Sequence, residues 1–160
     1  MIIDICSGFG GGTQAFDDVI RIDIDPKVKP DIVADVRYLP LSLGLRPDLL
    51  WMSPPCEKLS RADRTFPRPG SGDALRMVAA CLDAICYLKP KKWIIENPKG
   101  HLEDFIPDYV ATVKYPAYDM KNKTTRLWSN MKSLKRAFIP RHISQSIKDY
   151  MVEEHHLSLK

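Results

Sequence analysis

Short apolar runs broken by glycine, proline and aspartate set the rhythm of the chain. Ile2 to Cys6 is one such run, and it stops at Gly8-Phe9-Gly10-Gly11-Gly12, which predicts a strand entering a tight loop. Gln14-Ala15-Phe16 predicts the start of a short helix. From Val19 to Ile24 isoleucines alternate with Val19, Arg21 and Asp23, predicting a second strand that ends at Asp25-Pro26. Asp31 to Asp35 predicts a third, shorter strand. Leu49 to Met52 predicts a fourth, stopped by Ser53-Pro54-Pro55.

Residues 57–72 have loop composition, with Pro67, Pro69, Gly70 and Gly72 near their end. Asp73 then opens a helix with Leu75, Val78, Leu82 and Ile85 at helical spacing, closed by Lys89 and Pro90. Trp93 to Ile95 predicts a fifth strand ending at Glu96-Asn97-Pro98. Val110 to Val113 and Arg126 to Ser129 predict two more, and a last helix runs from Pro140 with Ile143, Ile147 and Met151 on one face. Strands alternating with helices imply an α/β fold, a mostly parallel sheet with both faces covered. Such sheets gather ligands at the carboxyl ends of their strands, and the unusual residues of this chain cluster there.

Composition narrows the class. With 160 residues, 44% hydrophobic and 28% charged, the chain has room for one ordinary globular domain. No run approaches the roughly 18 apolar residues needed to span a bilayer, and the first residues lack a signal-peptide pattern, so a soluble cytoplasmic protein without membrane contact is expected. Four cysteines at 6, 56, 81 and 86 form no CxxC pair, which argues against a disulfide framework or a metal site. Residues 1–50 hold five Lys/Arg against eight Asp, net −3; the whole chain is +4, so the remainder carries +7. An acidic first third suits a small cationic ligand, and a basic remainder suits a polyanion.

The glycine loop lets backbone approach a ligand, yet it is neither a dinucleotide fingerprint, since Thr13 takes the third glycine position, nor a P-loop. Asp23, ending the second strand, can accept two ribose hydroxyls, and Asp35 can accept from an adenine amine. Together they favour an adenosine-bearing ligand without a phosphate cradle. Cys56 follows two prolines that fix its backbone, holding a thiol at a strand end. Glu96 closes the neighbouring strand. A thiol and a carboxyl group at adjacent strand ends, beside an adenosine site, form a catalytic constellation. Cys81 and Cys86 read as helix packing. The loop after Cys56 carries Lys58, Arg61, Arg64 and Arg68, suited to closing over a phosphate backbone. Residues 114–136 hold seven Lys/Arg and one Asp among Tyr115, Tyr118 and Trp128, a mixture that fits nucleic acid or a surface hairpin with its aromatics inside.

These residues resemble the DNA (cytosine-5)-methyltransferases. Asp4-Ile5-Cys6-Ser7-Gly8-Phe9-Gly10-Gly11 is similar to the family's Asp-Leu-Phe-Ser-Gly-x-Gly-Gly motif, and Ser53-Pro54-Pro55-Cys56 to its Pro-Cys nucleophile motif. Ser60 matches a serine used near phosphate. Glu96-Asn97-Pro98 resembles Glu-Asn-Val, in the form seen in compact viral and prophage-like members. Asn122, Thr124 and Arg126 fall on Gln-x-Arg-x-Arg with two replacements, and Ile139-Pro140 with the last helix resembles the closing motif.

The resemblance implies a Rossmann-like, S-adenosylmethionine-dependent methyltransferase sheet with helices on both faces. Residues 1–52 would bind cofactor, 53–136 would face DNA, 138–153 would form the C-terminal helix, and no separate target-recognition domain would be present. It implies addition of the Cys56 thiolate to carbon 6 of cytosine, Glu96 at ring N3, and Arg126 on the ring carbonyl oxygen, so that carbon 5 takes the methyl group. A free thiol has a pKa of about 8.5, so an electropositive neighbour is needed. The implied cofactor set is Asp4, Ser7, Gly8, Phe9 and Gly10 toward the methionine part, Asp23 on the ribose, Ile24 against adenine, and Asp35, with Val36, Ser53 and Pro54 completing it. Lys58, Ser60, Arg61, Arg64, Asn122 and Lys123 would contact DNA. Sequence specificity would be slight, or come from loops 57–72 and 114–136, or from a partner chain such as a separate recognition subunit or a homodimer. Two rivals stand beside this reading. One is a non-catalytic cofactor- or DNA-binding subunit working with a partner chain. The other is an exocyclic-amine DNA methyltransferase, which would carry an aromatic residue where Cys56 stands.

Overall fold

Seven short strands pair into one sheet. They are β1 (Ile2–Ile5), β2 (Val19–Asp23), β3 (Ile32–Val33), β4 (Leu49–Met52), β5 (Lys92–Pro98), β6 (Ala111–Lys114) and β7 (Thr124–Ser129), in spatial order β3-β2-β1-β4-β5-β7-β6. Strands β1 to β5 are mutually parallel, while β7 inserts antiparallel between β5 and β6. Two helices accompany them, α1 (Ser71–Leu88) and α2 (Leu102–Phe105). The structure, a computed structural model, describes residues 1–39, 45–61, 66–114 and 124–131. It has the Rossmann-like α/β architecture expected. The helix expected over 138–153 and the expected DNA contacts Arg64, Asn122 and Lys123 lie outside the described residues.

The alternation of side chains along each strand sorts the core into two layers. Ile5, Met52 and Ile95, in register across β1, β4 and β5, face α1 and meet Val78, Cys81 and Leu88 there. Ile2, Leu49, Trp51, Ile94 and Leu127 form the opposite layer, with Phe16 and Val19 packed against it. Both described helices sit on the first face, since Leu102 of α2 belongs to the same buried group as α1. A helix on each face is therefore not what the described residues display.

Three local expectations change. Residues 10–16 form successive turns, Thr13 N–H donating to Gly10 O and Phe16 N–H to Thr13 O, so Gln14 starts no helix. Helix α1 buries Ala74, Val78, Cys81, Ala84 and Leu88, leaving Leu82 37% exposed. Small residues on the sheet side permit a close approach, and the larger leucine turns outward. Cys86 is exposed and does not pack. Strand β5 runs on through Glu96-Asn97-Pro98 because β7 pairs with it there, Asn97 opposite Arg126 and Pro98 opposite Thr125. Among the described residues no helix is long and apolar enough to cross a membrane.

Candidate active site

The sheet order reverses around β1, whose neighbours are β2 and β4, and a cleft opens at the carboxyl ends of these strands. It holds about 130 Å³, and among its lining are Gly8, Asp23, Ile24, Asp35, Val36 and Ser53, six of the expected cofactor residues. Cys6 and Met77 also line it and escaped the sequence reading. Met77 reaches the cleft from α1, which packs against the turn Val36–Tyr38, a tertiary fact with no local signal.

Two carboxylates punctuate this cleft. Asp23 accepts from Gly8 N–H at 2.8 Å and from Asp25 N–H at 2.9 Å, which ties the glycine loop to the end of β2 and fixes the carboxylate orientation. Each oxygen keeps acceptor capacity for a ligand hydroxyl. Asp35 caps the turn Val36–Tyr38 through Arg37 N–H and is paired with the Arg37 guanidinium at 2.5 Å. These hydrogen bonds hold its carboxyl below the ordinary value, so it remains an anionic acceptor. Between the carboxylates, Ile24 is 62% exposed, and Phe9 at the loop tip is 90% exposed. Bare apolar surface beside paired acceptors suits a flat ring carrying hydroxyl and amine groups.

The other expected cofactor residues support the loop instead of lining the cleft. Ser7 is buried, its N–H donating to Ile22 O, and its carbonyl accepts from Gly10 N–H. Pro54 is buried beneath the following turn. Asp4 is 1% exposed and accepts from the Thr13 hydroxyl at 2.6 Å, while its other oxygen has no hydrogen-bond partner among the described residues. Burial pushes its pKa up to about 7, against the opposing pull of the Thr13 hydroxyl and Arg21, with Asp23 and Glu96 adding to the rise. The loop lies flat on the sheet because Gly12 has no side chain: a Cβ there would stand 2.4 Å from the Trp51 ring.

Cys56 sits half-buried at the head of a turn in which its carbonyl accepts from Leu59 N–H at 2.9 Å and Ser60 N–H at 2.8 Å. Strands β4 and β5 run parallel with Met52 beside Ile95, so Ser53, just past the end of β4, stands level with Glu96 inside β5. Asn97, 1% exposed, donates its side-chain N–H to Pro54 O at 2.8 Å and pins the proline pair to β5. The segment that leads into the Cys56 turn and the segment that carries Glu96 are thereby joined.

Arg126 lies on β7, opposite Asn97. Paired residues of antiparallel strands share a face, and Arg126 pairs with Asn97 while Glu96 pairs with Leu127. The guanidinium donates to Glu103 at 3.2 Å and to the Thr112 hydroxyl, and lies over the Tyr109 ring at 4.2 Å. Sequence spacing along β7 could not reveal this, because the register with β5 decides which face each residue takes. Its guanidinium is thus engaged by Glu103, Thr112 and Tyr109.

The expected DNA-facing residues that are described border the Cys56 turn. Lys58 is exposed, Ser60 makes a backbone bridge to Gly100, and Arg61 pairs with Asp104 at 2.6 Å. Asp104 also meets His101 at 3.0 Å, and His101 stacks on Phe66. Among the described residues no group of three or more His, Cys, Asp or Glu is arranged to hold a metal ion.

No family model matches the chain. It is 31% identical over 131 residues, 69% of this chain and 58% of the relative, to a protein of Frog virus 3 (isolate Goorha) named "Probable DNA (cytosine-5)-methyltransferase". Among solved structures it resembles an E. coli protein described as a "putative DNA modification methyltransferase encoded within prophage", with a TM-score of 0.54 and 18% identity over 80% of this chain and 45% of that one. The S. pombe Dnmt2 methyltransferase aligns with a TM-score of 0.45 and 15% identity over 86% of this chain and 53% of the other. The chain thus spans between about two-fifths and three-fifths of these proteins' lengths.

Proposed function

We infer that this chain belongs to the DNA (cytosine-5)-methyltransferases and propose that it transfers a methyl group to carbon 5 of cytosine in DNA. The observation that carries the reading is the tie between the Pro54-Pro55-Cys56 turn and the Glu96-Asn97 segment through Asn97, beside a cleft bordered by Asp23 and Asp35. The curated relative, 31% identical, supports it.

The cleft fits S-adenosylmethionine on its donor set: two carboxylates for ribose hydroxyls and an amine, with Ile24 and Val36 for an adenine ring. When bound, that cofactor would supply an electrophilic methyl group on a sulfonium. The protein's own residues would prepare the acceptor. Cytosine carbon 5 is too electron-poor to attack an electrophile unaided. The Cys56 thiolate would add to carbon 6, and Glu96 at N3 would stabilise the electron-rich ring that results. With the methyl group on carbon 5, the carbon 5 proton would pass to water. Its C–H electron pair would reform the 5,6 double bond, and the C6–S bond would break to release the Cys56 thiolate. A target inside a duplex cannot reach the turn, so it would be flipped out at a cost of a few kcal/mol. Lys58 and the Ser60 hydroxyl, beside Cys56, would contact the phosphates.

The division into a cofactor-binding part, 1–52, and a DNA-facing part, 53–136, follows the same lines within one catalytic domain. A second chain, either another copy or a recognition subunit, would supply sequence preference.

Labelled S-adenosylmethionine mixed with the protein and unfractionated DNA should place label on cytosine carbon 5. Label on an exocyclic amine would replace this reading with the amine-methylating one; cofactor or DNA binding without transfer would replace it with a binding subunit. Within the cleft, Asp23→Ala removes an acceptor for the ribose and the anchor of Gly8. Calorimetry should show S-adenosylmethionine affinity falling about tenfold or more while the fold persists, because a charged hydrogen bond is worth roughly 1.5–3 kcal/mol. Unchanged affinity would remove Asp23 from the site.

A further inference from the structure

Arg126 and Glu103 form a nearly enclosed ion pair, their side chains 11% and 15% exposed, at the junction of β7, β6 and α2. The other oxygen of Glu103 accepts from Gly100 N–H at 3.1 Å. Gly100 lies against the Cys56 turn: it bridges to Ser60, and a Cβ at this position would stand 2.3 Å from Leu59 O. The next residue, His101, donates its N–H to that same Leu59 oxygen at 2.7 Å. Leu59 and Ser60 in turn donate to the Cys56 carbonyl. An unbroken path of hydrogen bonds and one close backbone contact thus leads from the Arg126 guanidinium to the Cys56 backbone. A second attachment, Asn97 to Pro54, holds the start of the same segment.

We propose that Glu103 and Arg126 are positioning residues that clamp the Cys56 turn through Gly100. The arrangement is suited to that task. A carboxylate with one oxygen on a backbone N–H and the other on a buried guanidinium has its orientation fixed at both ends, and Thr112 and the Tyr109 ring fix the guanidinium. Arg126 then serves the site through Glu103, Gly100 and the Cys56 turn. The inference rests on the reading of Cys56 as nucleophile for its kinetic consequence alone.

Three variants test it: Glu103→Gln, Arg126→Gln and the double variant. Glutamine at 103 keeps an oxygen for Gly100 N–H but turns an amide N–H toward Arg126, breaking the second half of the clamp. Amide hydrogen exchange on the folded proteins should quicken at least tenfold at Leu59, Ser60 and His101 in each variant, with rates in α1 unchanged. The kcat for methyl transfer should fall by a similar factor in both single variants, with the dissociation constant for S-adenosylmethionine unaltered, and the double variant should lose no more than either single one. Exchange unchanged at these three amides, or quickened equally through α1, overturns the clamp whether or not transfer is observed. A large loss of kcat in Arg126→Gln with none in Glu103→Gln also overturns it and gives Arg126 a direct contact with the base. Protein that exchanges as described yet transfers no methyl group leaves the clamp standing and counts against the function of Cys56.

Discussion

Exchanging Cys56 for serine should lower label transfer to carbon 5 of cytosine by at least about a thousandfold, the scale on which loss of a covalent nucleophile is felt. The variant should fold, because the turn is held by the Cys56 carbonyl, which accepts from Leu59 and Ser60, and by Asn97 on Pro54, none of which uses the sulfur. A hydroxyl in this position is a poor nucleophile without a base to deprotonate it, whereas a thiol is partly ionised near neutral pH. Cofactor affinity should be unchanged. A companion exchange, Glu96→Gln, keeps a hydrogen bond to the ring but removes the carboxyl group, and should cost about 10²- to 10⁴-fold. Transfer surviving in Cys56→Ser at even a tenth of the original rate would show that the thiol is dispensable.

The second large effect concerns Asp4 and stability. Its pKa is 3.8 when the chain is unfolded and about 7 when folded, chiefly because burial penalises the charge. The folded protein therefore holds more protons than the unfolded one between these values. Stability should be greatest near pH 4, decline as pH rises toward 7, and level off above it, a fall on the order of 4 kcal/mol for this one group. Asp4→Asn can still accept the Thr13 hydroxyl and carries no charge, so urea melts should show the slope between pH 4 and 7 flattened. At pH 8 the variant should be more stable than the parent by about 2 kcal/mol or more. The same exchange should weaken S-adenosylmethionine binding, the result expected of a carboxylate retained beneath the glycine loop for function at a cost in stability. An unaltered slope would show that Asp4 is solvated more than its burial indicates.

How much of this was legible beforehand depended on whether local pattern or distant pairing decided the matter. The ends of β1, β2 and β4 announce themselves through glycine, aspartate and proline, which is why Gly8, Asp23 and Ser53 were found and line one cleft. The pairing of Cys56 with the Glu96 segment was visible as two motifs, although the atom joining them, the side-chain nitrogen of Asn97, was not. The surroundings of Arg126 were not legible, because a residue's face on β7 follows from its partner on β5, here Asn97. Helix α2 spans four residues, too short to leave a periodic signal, so Glu103 passed unnoticed. In α1 the expected stripe of Leu75, Val78, Leu82 and Ile85 was partly right: Val78 is buried and Leu75 and Ile85 pack at the edge of the core, whereas Leu82 turns outward and Ala74, Cys81, Ala84 and Leu88 fill the buried face.

The most direct measurement is the mass of the protein after incubation with S-adenosylmethionine and DNA in which 5-fluorocytosine replaces cytosine. Fluorine at carbon 5 cannot leave as a proton does, so the thiolate cannot be expelled. A stable adduct carrying the methylated base should be recovered on the peptide that contains Cys56. Free protein, or an adduct on any other residue, from a preparation that still binds the cofactor would contradict the account.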